Sequence, residues 1–144
     1  MSLATLKKQF RFPPNIVKEA RNVTRGVFEG WKKVRGAVGG HGPMYKSPCK
    51  RFIVKYSLFT TDRIPTLSVP TKFFGRAAQY DDECDGKTSA WKLRWALQPR
   101  LQTFHLGRSN SVCDKLDSRY QGICFDVHDE NIGVWCGHAV LFDW

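Results

Sequence analysis

The chain has 144 residues, of which 42% are hydrophobic and 13% aromatic, and a formal net charge of +10. This composition excludes a disordered basic tail, because it supplies enough apolar surface for a core. No run of about 18 apolar residues predicts a membrane span. The charge is unevenly distributed along the chain. Residues 1–63 hold 14 Lys/Arg and three acidic residues, whereas residues 64–144 hold nine Lys/Arg and ten acidic residues. Such a concentrated positive field is typical of proteins that bind polyanions, nucleic acids above all.

The length predicts one domain, within which three parts differ in composition. Residues 1–14 carry Lys7, Lys8 and Arg11 without any acid, and we expect a basic flexible arm. Residues 15–121 contain the periodic apolar patterns of an α+β core. Residues 122–144 hold four acids and no Lys or Arg, and form the acidic C-terminal segment of this domain.

A helix is predicted over 15–35, with Asn15 as its N-cap. Its apolar residues recur at steps of three and four along one stripe, namely Ile16, Ala20, Val23, Val27, Trp31 and Val34. Gly26 and Gly30 weaken this helix, so a break near them is possible. Phe28 lies beside the apolar stripe and is a candidate exposed aromatic, whereas Trp31 lies on it and fits burial as well as stacking.

Residues 51–60 alternate with the period of a strand, in which Phe52, Val54, Tyr56 and Leu58 share one face. A second strand is predicted over 66–69, a short helix over 71–80, and a solvated acidic turn over 81–86. Residues 90–107 predict a hairpin that turns at Gln98 and Pro99, and residues 111–120 predict a helix. Strand-like segments follow at 134–136 and 139–142. This order predicts an α+β fold, an antiparallel sheet with helices packed on one face.

The opposite face of that sheet carries polar and basic side chains, which are Arg51, Lys55, Ser57, Lys92 and Arg94. Polar side chains are expected on the solvated face of any antiparallel sheet that packs against the core on its other face. Cations and hydroxyls also suit the phosphates and 2′-hydroxyls of duplex RNA. On the return strand, Thr103 and His105 share this face if Phe104 faces the core, and a one-residue slip reverses this. Arg108 follows at the edge of the hairpin, within reach of a phosphate in either register.

Other classes of function have weaker support. Cys124, His128, Cys136 and His138 form a set of possible zinc ligands, but their spacing matches no common zinc finger. No paired carboxylates, phosphate loop or nucleophile elbow is present. We therefore predict no metal, no cofactor, no small-molecule substrate and no enzyme activity. A basic structural protein of ribosomal, nucleocapsid or membrane-associated matrix type is the alternative.

Three segments resemble a known family. The stretch 52–63 looks like the family's first basic strand, which also ends in Asp-Arg. Leu93–Arg94–Trp95, leading to the segment from Phe104 to Ser111, is similar to the family's hairpin, its turn and the following helix. Phe28 and Trp31 keep the family's three-residue aromatic spacing. Together these are similar to the RNA-silencing suppressors of plant tombusviruses, and most of all to those of the related aureusviruses.

The resemblance implies a homodimer whose two sheets join into a concave saddle on double-stranded RNA. Such a viral protein would sequester small interfering RNA in the cytoplasm of the host cell, without sequence preference and without a membrane partner. It also implies that Phe28 and Trp31 stack on the ends of the duplex.

Overall fold

The computed structural model describes residues 1–34, 42–59, 66–84, 87–101, 103–104 and 132–144. The helices in these residues are α1 (Leu3–Gln9) and α2 (Pro14–Val23). The strands are β1 (Lys32–Lys33), β2 (Met44–Lys46), β3 (Phe52–Phe59), β4 (Lys72–Cys84), β5 (Lys87–Pro99), β6 (Thr103–Phe104), β7 (Ile132–Trp135) and β8 (His138–Leu141). Antiparallel pairing arranges them in a five-stranded sheet, β1-β2-β3-β5-β4, and a three-stranded sheet, β6-β7-β8.

Helix α2 covers one face of the five-stranded sheet. Its buried residues are Ile16, Ala20 and Val23, which recur at the spacing of one helical face. They form a cluster with Phe52, Val54, Phe74, Leu97 and Trp31. Each large apolar side chain fully buried here contributes about 1.5–3 kcal/mol, so this cluster fixes the helix on the sheet.

The three-stranded sheet and the residues after it cover the opposite face. Phe59 and Ala96 pack there against Ile132, Leu141 and Trp144. The backbone ties the layers together, because the Val69 amide donates to the Leu141 carbonyl and the Leu141 amide to the Leu67 carbonyl, both at 2.8 Å. The predicted α+β class with an antiparallel sheet is confirmed, but the sheet face expected to be open is covered.

The predicted helix over 15–35 is much shorter in the structure. It begins at Pro14, with Pro13 rather than Asn15 at the N-cap position, and ends at Val23. Gly26 and Gly30 then adopt φ angles of +89° and +85°, a left-handed conformation that ends helices.

The prediction of a helix over 71–80 is wrong, because this segment belongs to β4. A β-bulge shifts the register between Phe74 and Ala78, and Gly75 within it has a φ of +75°. Phe73, Ala77 and Tyr80, whose three- and four-residue steps in the sequence predict a helix, belong to this bulged strand.

Other boundaries also differ. Residues 81–84 continue β4 instead of forming a turn, and residues 66–69 contain a turn and one isolated bridge, Ser68 to Leu141, instead of a strand. Gln98 and Pro99 are the last residues of β5, which pairs with β3 and β4, and β6 belongs to the second sheet. The hairpin predicted over 90–107 is therefore wrong.

Several expectations concern the two ends of the chain. Strand β3 confirms the strand predicted over 51–60, and near the C-terminal end β7 and β8 confirm those predicted over 134–136 and 139–142. The expected flexible arm differs from the structure, in which α1 packs Leu3 and Leu6 against a cluster that includes Trp135 and Val140. Residues 132–144, which belong to the acidic C-terminal segment, contribute buried side chains to the core. The helix predicted over 111–120 lies outside the described residues.

Candidate nucleic-acid interface

The sheet face that the sequence assigns to RNA is buried. Lys55 is only 3% exposed, and its Nζ donates a hydrogen bond to the carbonyl of Phe142. The ammonium lies 5.3 Å and 5.1 Å from the ring centroids of Phe59 and Phe142. Burial lowers the pKa of Lys55, and the attraction of Asp143 raises it by less. Lys55 therefore fixes the second layer to the sheet, and its expected exposure is wrong.

Two neighbours on that face are enclosed in the same way. Ser57 is buried and its Oγ donates to Asp143 Oδ1 at 3.1 Å. Arg94 is 8% exposed, and its guanidinium carbon lies 3.3 Å from the ring centroid of Phe73. The expected exposure of both side chains is therefore wrong: Asp143 contacts Ser57, and the ring of Phe73 on β4 covers the guanidinium of Arg94.

The remaining predicted residues have varied positions. Arg51 is exposed, and Lys92 is half-buried opposite Phe59. The backbone of Thr103 pairs with Val134 in the second sheet. His105 and Arg108 lie outside the described residues.

Phe28 and Trp31 are not on one helical turn, because both follow the end of α2. Trp31 is buried, and its Nε1 donates to Glu19 Oε1 at 3.3 Å. Phe28 is 39% exposed and stacks on Tyr45, with a centroid distance of 4.7 Å and an interplanar angle of 23°. The structure thus assigns Trp31 to the core and leaves Phe28 as the exposed aromatic.

Phe28 begins a row of four rings on the α2 side of the sheet, which we call the aromatic row. Tyr45 lies 6.4 Å from Trp95, and Trp95 lies 5.2 Å from Tyr56. The strand register makes Tyr56 and Trp95 direct cross-strand partners. The row therefore extends from solvent at Phe28 to a cleft at Tyr56.

We call this cleft, about 420 Å³ in volume, the arginine cleft; it is lined by Arg21, Thr24, Arg25, Tyr56, Phe74, Gly75, Arg76 and Trp95. Three exposed arginines surround it from separate segments: Arg21 from the last turn of α2, Arg25 from the turn that follows, and Arg76 from the bulge of β4. The rings of Tyr56, Trp95 and Phe74 come from adjacent strands.

No acidic side chain is among the described residues that line the arginine cleft. The guanidinium of Arg21 lies 5.8 Å from the ring centroid of Phe74. Guanidinium groups bind phosphates through paired, charge-assisted hydrogen bonds, and aromatic rings stack on bases. The cleft therefore combines the two kinds of group that hold a nucleotide.

Sequence reasoning missed this site. Helical periodicity places Arg21 and Arg25 off the apolar stripe of the helix predicted over 15–35, and Arg76 lies within the segment wrongly predicted as a helix over 71–80. The available signal was the four-residue spacing of Arg21 and Arg25 at the point where glycines end the helix.

A second cationic feature, the basic edge, consists of Lys32 and Lys33 on β1 and Lys46 on β2. Lys32 and Lys46 are direct cross-strand partners. Like charges in opposed positions are destabilising, and a bound polyanion would offset this cost.

The exposed charged side chains are mostly basic. Of the side chains that the structure describes, twelve exposed ones are Lys or Arg and one, Glu29, is acidic. The described surface is strongly positive.

A larger cavity of about 530 Å³ lies between the helices and residues 68–73. Two of the three cations that line it have partners: Lys7 Nζ donates to Ser68 Oγ at 3.1 Å, and Arg11 Nη1 donates to the carbonyls of Lys8 and Phe10. Burial lowers the pKa of Lys7, which disfavours its charged form. We therefore place the candidate interface at the arginine cleft, the aromatic row and the basic edge.

Within the described ranges, no three His, Cys, Asp or Glu side chains group as a metal site would need. Cys124 and His128, two of the considered zinc ligands, lie outside those ranges. In the same ranges no helix has the length and apolarity to cross a membrane. No family model, curated protein or solved structure matches the chain.

Proposed function

We propose that this protein binds double-stranded RNA without sequence preference and sequesters it, as a viral suppressor of RNA silencing does in the cytoplasm of a plant cell. The observation that carries the proposal is the excess of twelve exposed cations over one exposed carboxylate among the described side chains. The choice of duplex RNA among polyanions, and the role in silencing, come from the sequence resemblance.

The proposed contact surface is on the α2 side of the sheet rather than on the buried face. The arginine cleft includes residues of β4, and the basic edge lies on β1 and β2, at the other end of the five-stranded order. Neighbouring strands are about 4.8 Å apart, so the cations span roughly 19 Å. Phosphates along one nucleic-acid strand repeat at about 3.4 Å. A surface of this width can contact several phosphates at once.

Phosphate contacts position a protein but carry no sequence information. Because an A-form duplex hides its base edges in a narrow major groove, a surface made of Lys and Arg binds it by shape and charge. The aromatic row adds flat groups that stack on any base. We therefore expect unrelated duplex sequences to bind with similar affinity.

Fluorescence anisotropy with labelled duplex RNA tests this proposal. Single-stranded RNA, duplex DNA and vesicles containing phosphatidylserine serve as competitors, each at about 50 mM and 200 mM salt. We expect duplex RNA to compete best and affinity to fall steeply with salt. Tighter binding to the vesicles would favour the membrane-associated alternative, and equal affinity for duplex DNA would contradict the choice of RNA.

The basic edge supplies a variant with a matched control. Changing Lys32 to Gln should reduce the slope of log affinity against log salt by about one, because one phosphate contact is lost. The control is Lys8→Gln, an equally exposed cation on α1, next to the other sheet. If the basic-edge variant and Lys8→Gln change the slope equally, then RNA affinity depends only on net charge, which would contradict the assigned contact surface.

The homodimer implied by the resemblance is part of the proposal. Among the described strands β4 pairs only with β5, so its outer edge has backbone groups that a second copy could pair with. Light scattering should then give twice the mass of one chain at micromolar concentration, and a single-chain mass with RNA bound would contradict a dimer.

A further inference from the structure

We infer that the arginine cleft holds one unpaired nucleotide next to the duplex, with its base on the aromatic rings and its phosphate between the guanidinium groups. This inference rests on the proposed function, since it assumes that RNA lies on this surface. It adds a preference that charge alone would not give, namely a preference for RNA with an unpaired end.

The arrangement of the arginines supports a phosphate site. Arg21, Arg25 and Arg76 come from three segments that converge on the same 420 Å³ cleft. Three cations without an acid among the described lining residues repel one another, and a phosphate with two forks of N–H donors around it would relieve that repulsion. Cations that serve only solubility can be spread over the surface, where they repel one another less than in a shared cleft.

The rings of the cleft support a site for a base. Tyr56 and Trp95 are half-buried, so each ring is supported by the fold while part of it remains open. Their planes are inclined at 46°, and Phe74 lies beside Trp95 on the next strand. A base could therefore stack on one ring and contact the edge of another, as aromatic pairs prefer.

The nucleotide must be unpaired because of how a duplex presents its bases. Inside a helix both faces of each base are covered by the neighbouring base pairs, so the rings of a cleft cannot reach them. Recognition by stacking requires bases that are splayed out or single-stranded. The cleft volume also lies near the lower end of the roughly 300–1,000 Å³ that single small ligands occupy.

The bulge in β4 is what aims Arg76 at the cleft. Gly75 has a φ of +75°, which other residues adopt at a cost, and a Cβ there would meet no atom within 4 Å. The glycine is thus needed for its backbone angle and not for space. Bulges often redirect a side chain next to a functional site.

The test compares two probes that differ only in unpaired nucleotides: a blunt RNA duplex, and the same duplex with one extra uridine at each 3′ end. Base stacking on an aromatic ring is worth enough to change affinity about tenfold. We expect the protein to bind the second probe about tenfold more tightly than the blunt one. Uridine monophosphate should compete for this difference, and it should weaken binding of the blunt duplex, which has no unpaired base to lose, by less.

Variants locate the effect. Arg76→Gln should bring the ratio of the two affinities close to one, while Lys18→Gln should weaken both probes equally and leave the ratio unchanged. Lys18 is an exposed cation on α2 that does not line the cleft, so it controls for the lost charge. Circular dichroism melting checks that both variants are folded.

Equal affinity of the unchanged protein for the two probes would overturn the cleft inference and leave the proposed function standing. A loss of the ratio in Lys18→Gln as large as in Arg76→Gln would also overturn it. If neither duplex binds, the proposed function is refuted. Binding of single-stranded oligouridine then tests the inference that the cleft holds a nucleotide. If the protein binds oligouridine and Arg76→Gln abolishes this binding, the inference is supported; if there is no such binding, the inference is overturned.

Discussion

Replacing Lys55 with methionine distinguishes a structural lysine from one that contacts RNA. The Lys55 ammonium is enclosed between the two sheets, and burial lowers its pKa despite the attraction of Asp143. A lowered pKa means that the folded protein disfavours the charged form relative to water. Methionine keeps a long apolar side chain at this position and removes the charge.

The hydrogen-bond network indicates how large the effect should be. The carbonyl of Phe142 also accepts a hydrogen bond from Gln98 Nε2 at 2.9 Å, so it retains a donor when Lys55 is replaced. The loss of one hydrogen bond costs about 1 kcal/mol, and the loss of the attraction to Asp143 adds to this cost. Removing the ammonium relieves its burial penalty, which is larger than that attraction because the pKa of Lys55 is lowered overall. We expect Lys55→Met to leave the free energy of unfolding at pH 7 unchanged or to raise it by up to about 2 kcal/mol.

The pH dependence follows from the direction of the pKa shift. The unfolded chain has a lysine pKa near 10.4, and the folded one is lower, so the unfolded state binds more protons between the two values. The penalty for the buried charge is complete below the folded pKa and disappears as pH rises towards about 10.4. The difference in free energy of unfolding between Lys55→Met and the protein with Lys55 should therefore decrease as pH rises, by at most about 1.4 kcal/mol per pH unit.

Urea denaturation at several pH values measures these stabilities, and duplex RNA binding is measured on the same samples. Lys55→Ala is the matched variant, which should lose about 2–5 kcal/mol because it leaves a cavity. We expect RNA affinity to be unchanged in the methionine variant. A folded Lys55→Met protein that binds RNA several-fold more weakly would refute the structural role assigned here.

Gly30→Ala should lower the free energy of unfolding by about 1–3 kcal/mol, because φ is +85° and the new Cβ would lie 3.2 Å from Pro48 Cγ; unchanged urea denaturation would contradict this. Leu141→Ala removes a fully buried side chain and should cost about 2–5 kcal/mol in the same assay, whereas a smaller loss would mean that the site collapses. Lys46→Gln relieves repulsion with Lys32 and should stabilise the free protein by about 0.2–1 kcal/mol while weakening RNA binding; destabilisation, or unaltered anisotropy, would count against the basic edge.

The period-two pattern of residues 52–59 was sufficient to predict β3 and to separate its two faces. Val54 and Tyr56 lie on the α2 side, as expected. The pattern could not show that the polar face is covered. Lys55 and Ser57 look the same in sequence whether water or a second sheet lies above them, and their partners are Phe142 and Asp143.

The arginine cleft was beyond prediction for a related reason. Arg76 belongs to the cleft only because the bulge at Gly75 changes the phase of β4, and a bulge has no periodic signature. Arg21 and Arg25 meet it only because α2 ends at Val23. The cleft is thus made by two local breaks in regular structure, which propensity and periodicity describe least well.

Residues 132–144 close the sheet over long sequence separations: Lys55 and Phe142 are 87 residues apart, and Ser57 and Asp143 are 86 apart. Contacts of this kind form late, because the chain must first close large loops. During synthesis at about 5–20 residues per second, β3 and β5 leave the ribosome seconds before their cover does. The nascent sheet would hold a hydrated Lys55 ammonium beside bare aromatic rings, and only the arrival of the last strands would dehydrate it.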